Sequence, residues 1–293
     1  MLFAATAAVA ADFPARETAD VGNKLPNNNP AWQIGIFNPL RIAVADGIEL
    51  EMHPLVFLTA PNLDVRVAHL RGSTGELRLT GEYGLSFPTG GLRLQKPFGV
   101  KGDLLPSCKV AANNPNLQTW CDLAPWTLVP HVGLVLSGGI GQFAAQNGEI
   151  FELATWTIRA DVAKGFPLSG QAIRPLETWA PIDVALAPSL GYTRVQVRGQ
   201  WDERVLDWLR VRGELGGYFV TQPEDADRSP FTFSAYVGAD LRTSTHTRVT
   251  AGVFYWNSDR HQVVVQTGAD GFAEVVRQRS HEFWPTVDFI WMY

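Results

Sequence analysis

Six histidines are the side chains best suited to moving protons near neutral pH in this chain: His53, His69, His131, His246, His261 and His281. A hydrolytic site needs more than an imidazole. It needs a nucleophile or an activated water, a base within hydrogen-bond reach, and a third group that orients the base. Only His53 beside Glu51, and the adjacent His281 and Glu282, pair a base with a carboxylate, and neither has an orienting third group close in sequence. Both read more simply as polar residues of a rim or an interior, so no catalytic residue is expected. Ser137-Gly138-Gly139 lacks the Lys-Ser/Thr that a phosphate-cradling loop requires. The two cysteines, Cys108 and Cys121, have no Cys/His set around them and make no zinc site, so neither metal nor cofactor is expected. They share a stretch rich in Asn, Pro and Gln, which reads as a loop. There they are either two thiols or, as we expect, a disulfide that persists in an oxidising compartment.

The elements that carry these residues are strands. Phe231, Phe233, Ala235, Val237, Ala239 and Leu241 share one face, against Thr232, Ser234, Tyr236, Gly238, Asp240 and Arg242 on the other. Val211 to Phe219 alternates in the same way with Arg210, Arg212, Glu214 and Tyr218, and Ala154 to Val162 with Arg159 and Asp161. Shorter copies of the pattern occur at 48–53, 64–67, 77–83, 194–198 and 248–255, and no helical period competes. Short turns are expected at Asp46-Gly47, Arg71 to Gly75, Trp201 to Arg204 and Thr243 to Thr247. Longer connections are expected at Lys96 to Pro125, Lys164 to Glu177, Thr221 to Pro230 and Asn257 to Ser280. The uncharged run Leu123 to Gly148 is long enough to span a bilayer as a helix, but Pro125, Pro130, His131, Gln142, Gln146 and Asn147 argue against it. Trp126 to Leu136 reads as a strand, followed by a turn with a helical turn at Gln142 to Gln146.

Met1 to Ala11 is apolar and small, with Ala8-Val9-Ala10 as a cleavage-type site. Residues 1–10 are therefore either a residual signal peptide, the reading we adopt, or an apolar terminus; 11–30 form an extension and 31–293 one β domain. Eleven strands are clear, and a bacterial barrel should have an even number, so one long segment should hide a twelfth within a range of ten to fourteen. The competing architecture is a soluble two-sheet sandwich.

The chain ends in Val287, Phe289, Trp291 and Tyr293, an alternating apolar and aromatic stripe that finishes on the last residue. This resembles the C-terminal signal strand of Gram-negative outer-membrane β-barrels, departing from the commonest pattern in ending with Tyr and carrying Pro285. The resemblance implies an antiparallel up-and-down transmembrane barrel in the bacterial outer membrane, surrounded by its lipid and recognised by the barrel assembly machinery. Trp201, Trp208, Trp291 and Tyr293 lie near turns or the terminus expected at the periplasmic rim, where Trp and Tyr prefer the headgroup layer.

In that architecture the polar faces line a lumen. Arg159, Asp161, Arg194, Arg198, Arg210, Arg212, Glu214, Asp240, Arg242 and Arg248 would line it, and both signs must be paired or hydrated. Arg194, Arg198, Arg210 and Arg212 should share one wall and attract anions, unless Glu214 and Asp240 neutralise them. The expected function is a passive pore or channel for small solutes. The alternatives are a closed structural or adhesive barrel acting through its loops and, behind it, an outer-membrane enzyme that would depend on His53 or His281. Homo-oligomer and lone barrel remain equally compatible. A net charge of -5 at a pI near 5.7 gives no support to a nucleic-acid partner, and none is expected.

Overall fold

The computed structural model describes residues 32–57, 60–71, 76–88, 126–144, 150–169, 184–185, 187–206, 208–221, 229–244, 246–267 and 272–292. Its strands are β1 (Trp32–Gly35), β2 (Leu40–Ala45), β3 (Ile48–Met52), β4 (Asn62–Leu70), β5 (Arg78–Ser86), β6 (Trp126–Ala144), β7 (Ile150–Lys164), β8 (Phe166–Ser169), β9 (Thr193–Leu206), β10 (Leu209–Thr221), β11 (Phe231–Arg242), β12 (Thr247–Thr267) and β13 (Ala273–Met292). All pairings are antiparallel. β8 prolongs β7 along the same edge of β6 beyond Gly165. Pairing of β5 with β6 and of β1 with β13 closes the sheet into a barrel of twelve strands.

Alternation decides which face goes where. Along β10, Val211, Leu215 and Phe219 are exposed on the outside while Arg212, Glu214 and Tyr218 are buried within. The inversion runs all round: Arg66, Glu82, Asp202 and Arg248 are buried, whereas Leu134, Val197, Val237 and Phe283 are exposed. A soluble sandwich would bury the apolar stripes between two sheets. Here they form the outer surface of a closed ring, as a lipid-facing barrel requires.

One end of the barrel carries the tight connections: Asp46-Gly47, with Gly47 at φ 76, the place where Leu206 pairs with Leu209, and the place where Thr243 and Ser244 donate to the Thr247 carbonyl beside Met292. We call this the turn end and its opposite the loop end. Wall height differs sharply around the ring. β12 and β13 have 21 and 20 residues, but β1, β2 and β3 have only 4, 6 and 5. β1 pairs only Gln33, Ile34 and Gly35 with the last turn of β13, after which Ile36 and Phe37 donate their backbone N–H groups to Asp288.

Several expectations change. The strand absent from the sequence reading is β1, four residues near the start of the barrel rather than part of a long segment. β6 continues through Ser137-Gly138-Gly139 to Ala144, because Ile140, Gln142 and Phe143 find ladder partners in Ala154, Glu152 and Phe151. Among the described residues, strand and not a turn follows Leu136 as far as Ala144, and 145–149 lie outside them. Asn257 to Ser280 is not a long loop but the upper part of the β12–β13 hairpin, whose register shifts between Asp259 and Gln262 and so breaks the alternation. Trp201 to Arg204 is strand, paired with Arg210 to Gly213, and the turn follows Leu206. The N-terminal residues 1–30, the loop 96–125 with Cys108 and Cys121, and Tyr293 lie outside the described residues.

Candidate interior site

Inward-facing residues occupy rows that can be followed from strand to strand through the ladder. One row runs Arg41, Glu51, Asp64, Gly84, His131, Ala163, Arg194, Val220. The next towards the turn end runs Glu49, Arg66, Glu82, Gly133, Asp161, Gln196, Tyr218, Thr232. Charges of both signs therefore fall beside one another on β2 to β10. Arg41 Nε lies 2.7 Å from Glu51, and Arg66 lies 3.0 Å from both Glu49 and Glu82. Arg212 holds Asp202 at 2.7 Å and Asp240 at 3.3 Å, from the strands on either side of its own.

Three pairs reach across an intervening strand. His131 Nε2 stands 2.9 Å from Asp64 over β5, and Arg159 stands 2.8 Å from Glu82 over β6. Arg78 meets Glu152, also over β6. Each bridge passes a glycine. A Cβ on Gly84 would overlap the Asp64 carboxylate and the His131 ring, one on Gly139 would overlap the Glu152 carboxyl, and one on Gly133 would crowd Glu82. The ion pairs named here thus run along the wall, between neighbours or next neighbours, and not across the lumen.

β10 to β13 present a different inner face. Tyr218 and Trp256 have ring centroids 5.1 Å apart, Tyr236 and Phe254 4.4 Å, and Trp284 packs beside them. Val184, from the connection between β8 and β9, is buried against Tyr218 and Trp256. That connection then makes a 3-10 helix at Ala187–Leu190, whose Pro188 carbonyl sits where a Cβ on Gly165 would be. Gly165 N–H donates to the Tyr192 carbonyl at 3.1 Å and Lys164 Nζ to the Gly191 carbonyl at 3.0 Å. The inner segment is thereby fixed to both sides of the barrel.

Between this segment and the charged wall lies a cavity of about 310 Å³. Ala185, Pro188 and Ser189 border it on one side; Glu51, Asp64, His131 and Arg194 border it on the other, with Pro39 and His53 at its margin. A shallow depression of about 760 Å³ on the outer surface, around Gly199 and Gly213, is apolar and bordered by Trp156, Trp201, Leu215 and Phe283.

Of the residues expected to line the interior, Arg159, Asp161, Arg194, Arg198, Arg212, Glu214, Asp240 and Arg248 face it, but they do not form one cluster. Arg194 and Arg198 belong to the upper rows and pair with Asp161 at 3.4 Å and Glu214 at 3.6 Å. Arg210 and Arg212 lie towards the turn end, Arg210 opposite Arg204. Arg242 is at the turn-end rim, donating to the Ser244 carbonyl at 3.3 Å. The carboxylates the sequence offered as neutralisers do that work. His281 and Glu282 occupy opposite faces of β13: His281 stacks on Tyr255 outside, and Glu282 accepts from Trp284 Nε1 at 3.2 Å. They form no pair. Val287, Phe289 and Trp291 are exposed on the outer face, as their alternation requires.

Sequence reading missed Asp202, which it placed in a turn, and His131, which lay in an uncharged run. Extending β9 would have found Asp202 by parity; His131 already lay on the strand read at Trp126 to Leu136, but its face also carries Val129 and Val135 and so does not read as polar.

No family model matches the chain, and no curated protein sequence does. Among solved structures, it is similar to the outer-membrane expressed OmpT of Vibrio cholerae, with 10% identity, 87% of this chain and 64% of that one covered, and a TM-score of 0.43. A loop L8 deletion mutant of that protein gives 10% identity, coverage of 87% and 62%, and a TM-score of 0.45. The ferric-catecholate import receptor Fiu from E. coli gives 13% identity, coverage of 88% and 47%, and a TM-score of 0.27. The chain spans less than two thirds of the length of each.

Proposed function

We propose that this protein is an outer-membrane barrel with a narrow, charge-lined passage for small polar solutes. The observation that carries the reading is the polar cavity of about 310 Å³ inside the barrel, bordered by charged groups of both signs and by the inner segment. The apolar outer face supports a bilayer as the surroundings, and the stripe Val287, Phe289, Trp291 supports recognition by the assembly machinery. Because the arginines are paired with carboxylates, selectivity between small anions and cations should be weak, without the anion preference that four clustered arginines would impose.

Planar-bilayer recording tests this. Small conductance steps are expected, and removal of residues 185–190 should enlarge them several-fold. Protein that shows a heat-dependent mobility shift on electrophoresis, and so is a folded barrel, yet never conducts would overturn the reading. A closed barrel acting through its loops is the second reading, favoured by the near-complete burial of Arg66, Glu82, Asp202 and Arg248 in the interior.

A further inference from the structure

The cavity extends along the wall from β9 and reaches its lowest part at Pro39, Glu51 and His53. A membrane-spanning strand needs about 9–11 residues, and β1, β2 and β3 have 4, 6 and 5. Among the described residues, β13 pairs with β1 only up to Gly35, so its loop-end stretch has no ladder partner on that side. The turn that ends the low sector is tied down from both directions. Asp288 accepts the N–H groups of Ile36 and Phe37 at 2.9 and 3.1 Å, and His53 Nε2 donates to the Phe37 carbonyl at 2.9 Å. Ile36, Phe37 and Phe57 are nonetheless exposed, Phe37 at 66%. An apolar sill thus adjoins a polar cavity, since Pro39 and His53 line the cavity and His53 donates to the Phe37 carbonyl.

Polar atoms around the cavity are incompletely satisfied. With Nε2 donating to Phe37, His53 Nδ1 is left buried without a partner, and so is Arg194 Nε; both residues line the cavity. Buried polar groups of this kind ordinarily have a partner. The acceptors, Glu51, His53 Nδ1 and Asp64, lie on β3, just after it and on β4, beside the sill, and Arg194 lies in the same row further round the wall on β9. Arg41, Glu51, Asp64, His131, Asp161 and Arg194 together come close to charge balance, which disfavours a ligand of large net charge.

We propose that this notch holds one amphiphile of the surrounding bilayer. Its head carries a primary ammonium, donated to Glu51, Asp64 and His53, and a phosphate that accepts from Arg194; its acyl tail leaves over Ile36 and Phe37. A cavity of about 310 Å³ is at the small end of the ~300–1,000 Å³ usual for ligand sites, and suits a headgroup. The proposal rests on the membrane reading above but not on conduction.

The test is retention by purified full-length protein in a nonionic detergent, read by native mass spectrometry. Four probes are compared: a lysophosphatidylethanolamine, its choline analogue without N–H donors, its anionic glycerol analogue, and tailless glycerophosphoethanolamine. The ethanolamine lipid is expected to bind one per barrel, at least tenfold more tightly than the other three. Asp64→Asn, Arg194→Gln and Phe37→Ser should each weaken it about tenfold, while Asp46→Asn, at the turn end, leaves it unchanged. Equal retention of all three lipids, unaffected by these variants, is annular lipid and overturns the proposal. Binding of the tailless head as tightly as the lipid overturns it too, making the site one for polar solutes. Should a variant show no heat-dependent mobility shift, the probe series on the unsubstituted protein still decides. Conducting protein that retains no lipid defeats this inference alone, and lipid-retaining protein that does not conduct defeats the channel alone.

Discussion

The two sides of the interior are built on different physics. From β2 to β10 the inner face is held by ion pairs whose geometry depends on direct juxtaposition in the ladder, as in the row Asp64, Gly84, His131. From β10 to β13, towards the loop end from Arg212, Asp240 and Arg248, it is held by stacked rings, with Val184 resting on Tyr218 and Trp256. A charged wall is unforgiving of a missing partner, because the charge left behind is buried and unpaired. An aromatic wall loses contact area in proportion to what is removed, so its failure should be graded and should appear as a loosened inner segment.

The largest effect should follow from breaking the charged side at a buried arginine that holds two carboxylates. Arg212→Leu leaves Asp202 and Asp240 facing each other's sector without the guanidinium that holds them at 2.7 and 3.3 Å. A loss of roughly 3–5 kcal/mol is expected, measured as a lowered urea midpoint for unfolding from lipid vesicles. Restoring stability by Asp202→Asn and Asp240→Asn in the same chain would show that the cost is the orphaned charge. A change under about 1 kcal/mol would mean that water reaches these carboxylates, and the charged wall would then be a hydrated pore lining.

On the aromatic side, Trp256→Ala removes a nearly buried ring that supports Val184. Roughly 3 kcal/mol is expected, the low end for truncating a packed aromatic. The more telling readout is conductance, which should rise as the inner segment detaches from β10 and β12. An unchanged conductance with lowered stability would assign the ring to packing alone and leave the segment anchored through Gly165 and Tyr192.

A smaller effect is expected where the charged wall depends on an absent side chain. Gly84→Ala introduces a methyl that overlaps both members of the Asp64 and His131 pair. The pair must shift or part, at about 1–2 kcal/mol. Gly213→Ala is the matched control, since its Cβ would meet nothing within 4 Å. Equal losses in the two variants would remove the steric account of the bridge over β5.

The same contrast explains what could be read from the residues alone. On β10 and β11 each polar residue is flanked by apolar ones, so parity alone puts Arg212, Glu214 and Asp240 inside, and the ladder agrees. Parity also put Tyr218 and Tyr236 on the inner face, but Phe254, Trp256 and Trp284 are apolar residues that face inwards, against the equation of apolar with outside. Their role depends on Val184 arriving from a distant connection, which no local pattern announces. β1 was illegible because four residues are too few to show a period, and the upper β12–β13 hairpin because its register slips at Asp259. The cavity was hidden for a related reason: Asp64 and His131 are 67 positions apart and meet only because Gly84 lies between them in the row.

The smallest expected effect lies outside both walls and calibrates them. Arg71 and Asp46 form an ion pair at the turn end with side chains 45% and 74% exposed. Coulomb attraction there is weakened by water and salt, and holding two side chains in one geometry costs entropy. Asp46→Asn should therefore change stability by less than about 1 kcal/mol, and less still as salt is raised. The comparison turns on solvent and not on charge: Arg212 and Arg71 have the same chemistry and similarly close partners, and differ in burial. If Asp46→Asn in the same urea titration cost as much as Arg212→Leu, burial would not be what separates them, and the strength of the charged wall would have to come from its ladder alone.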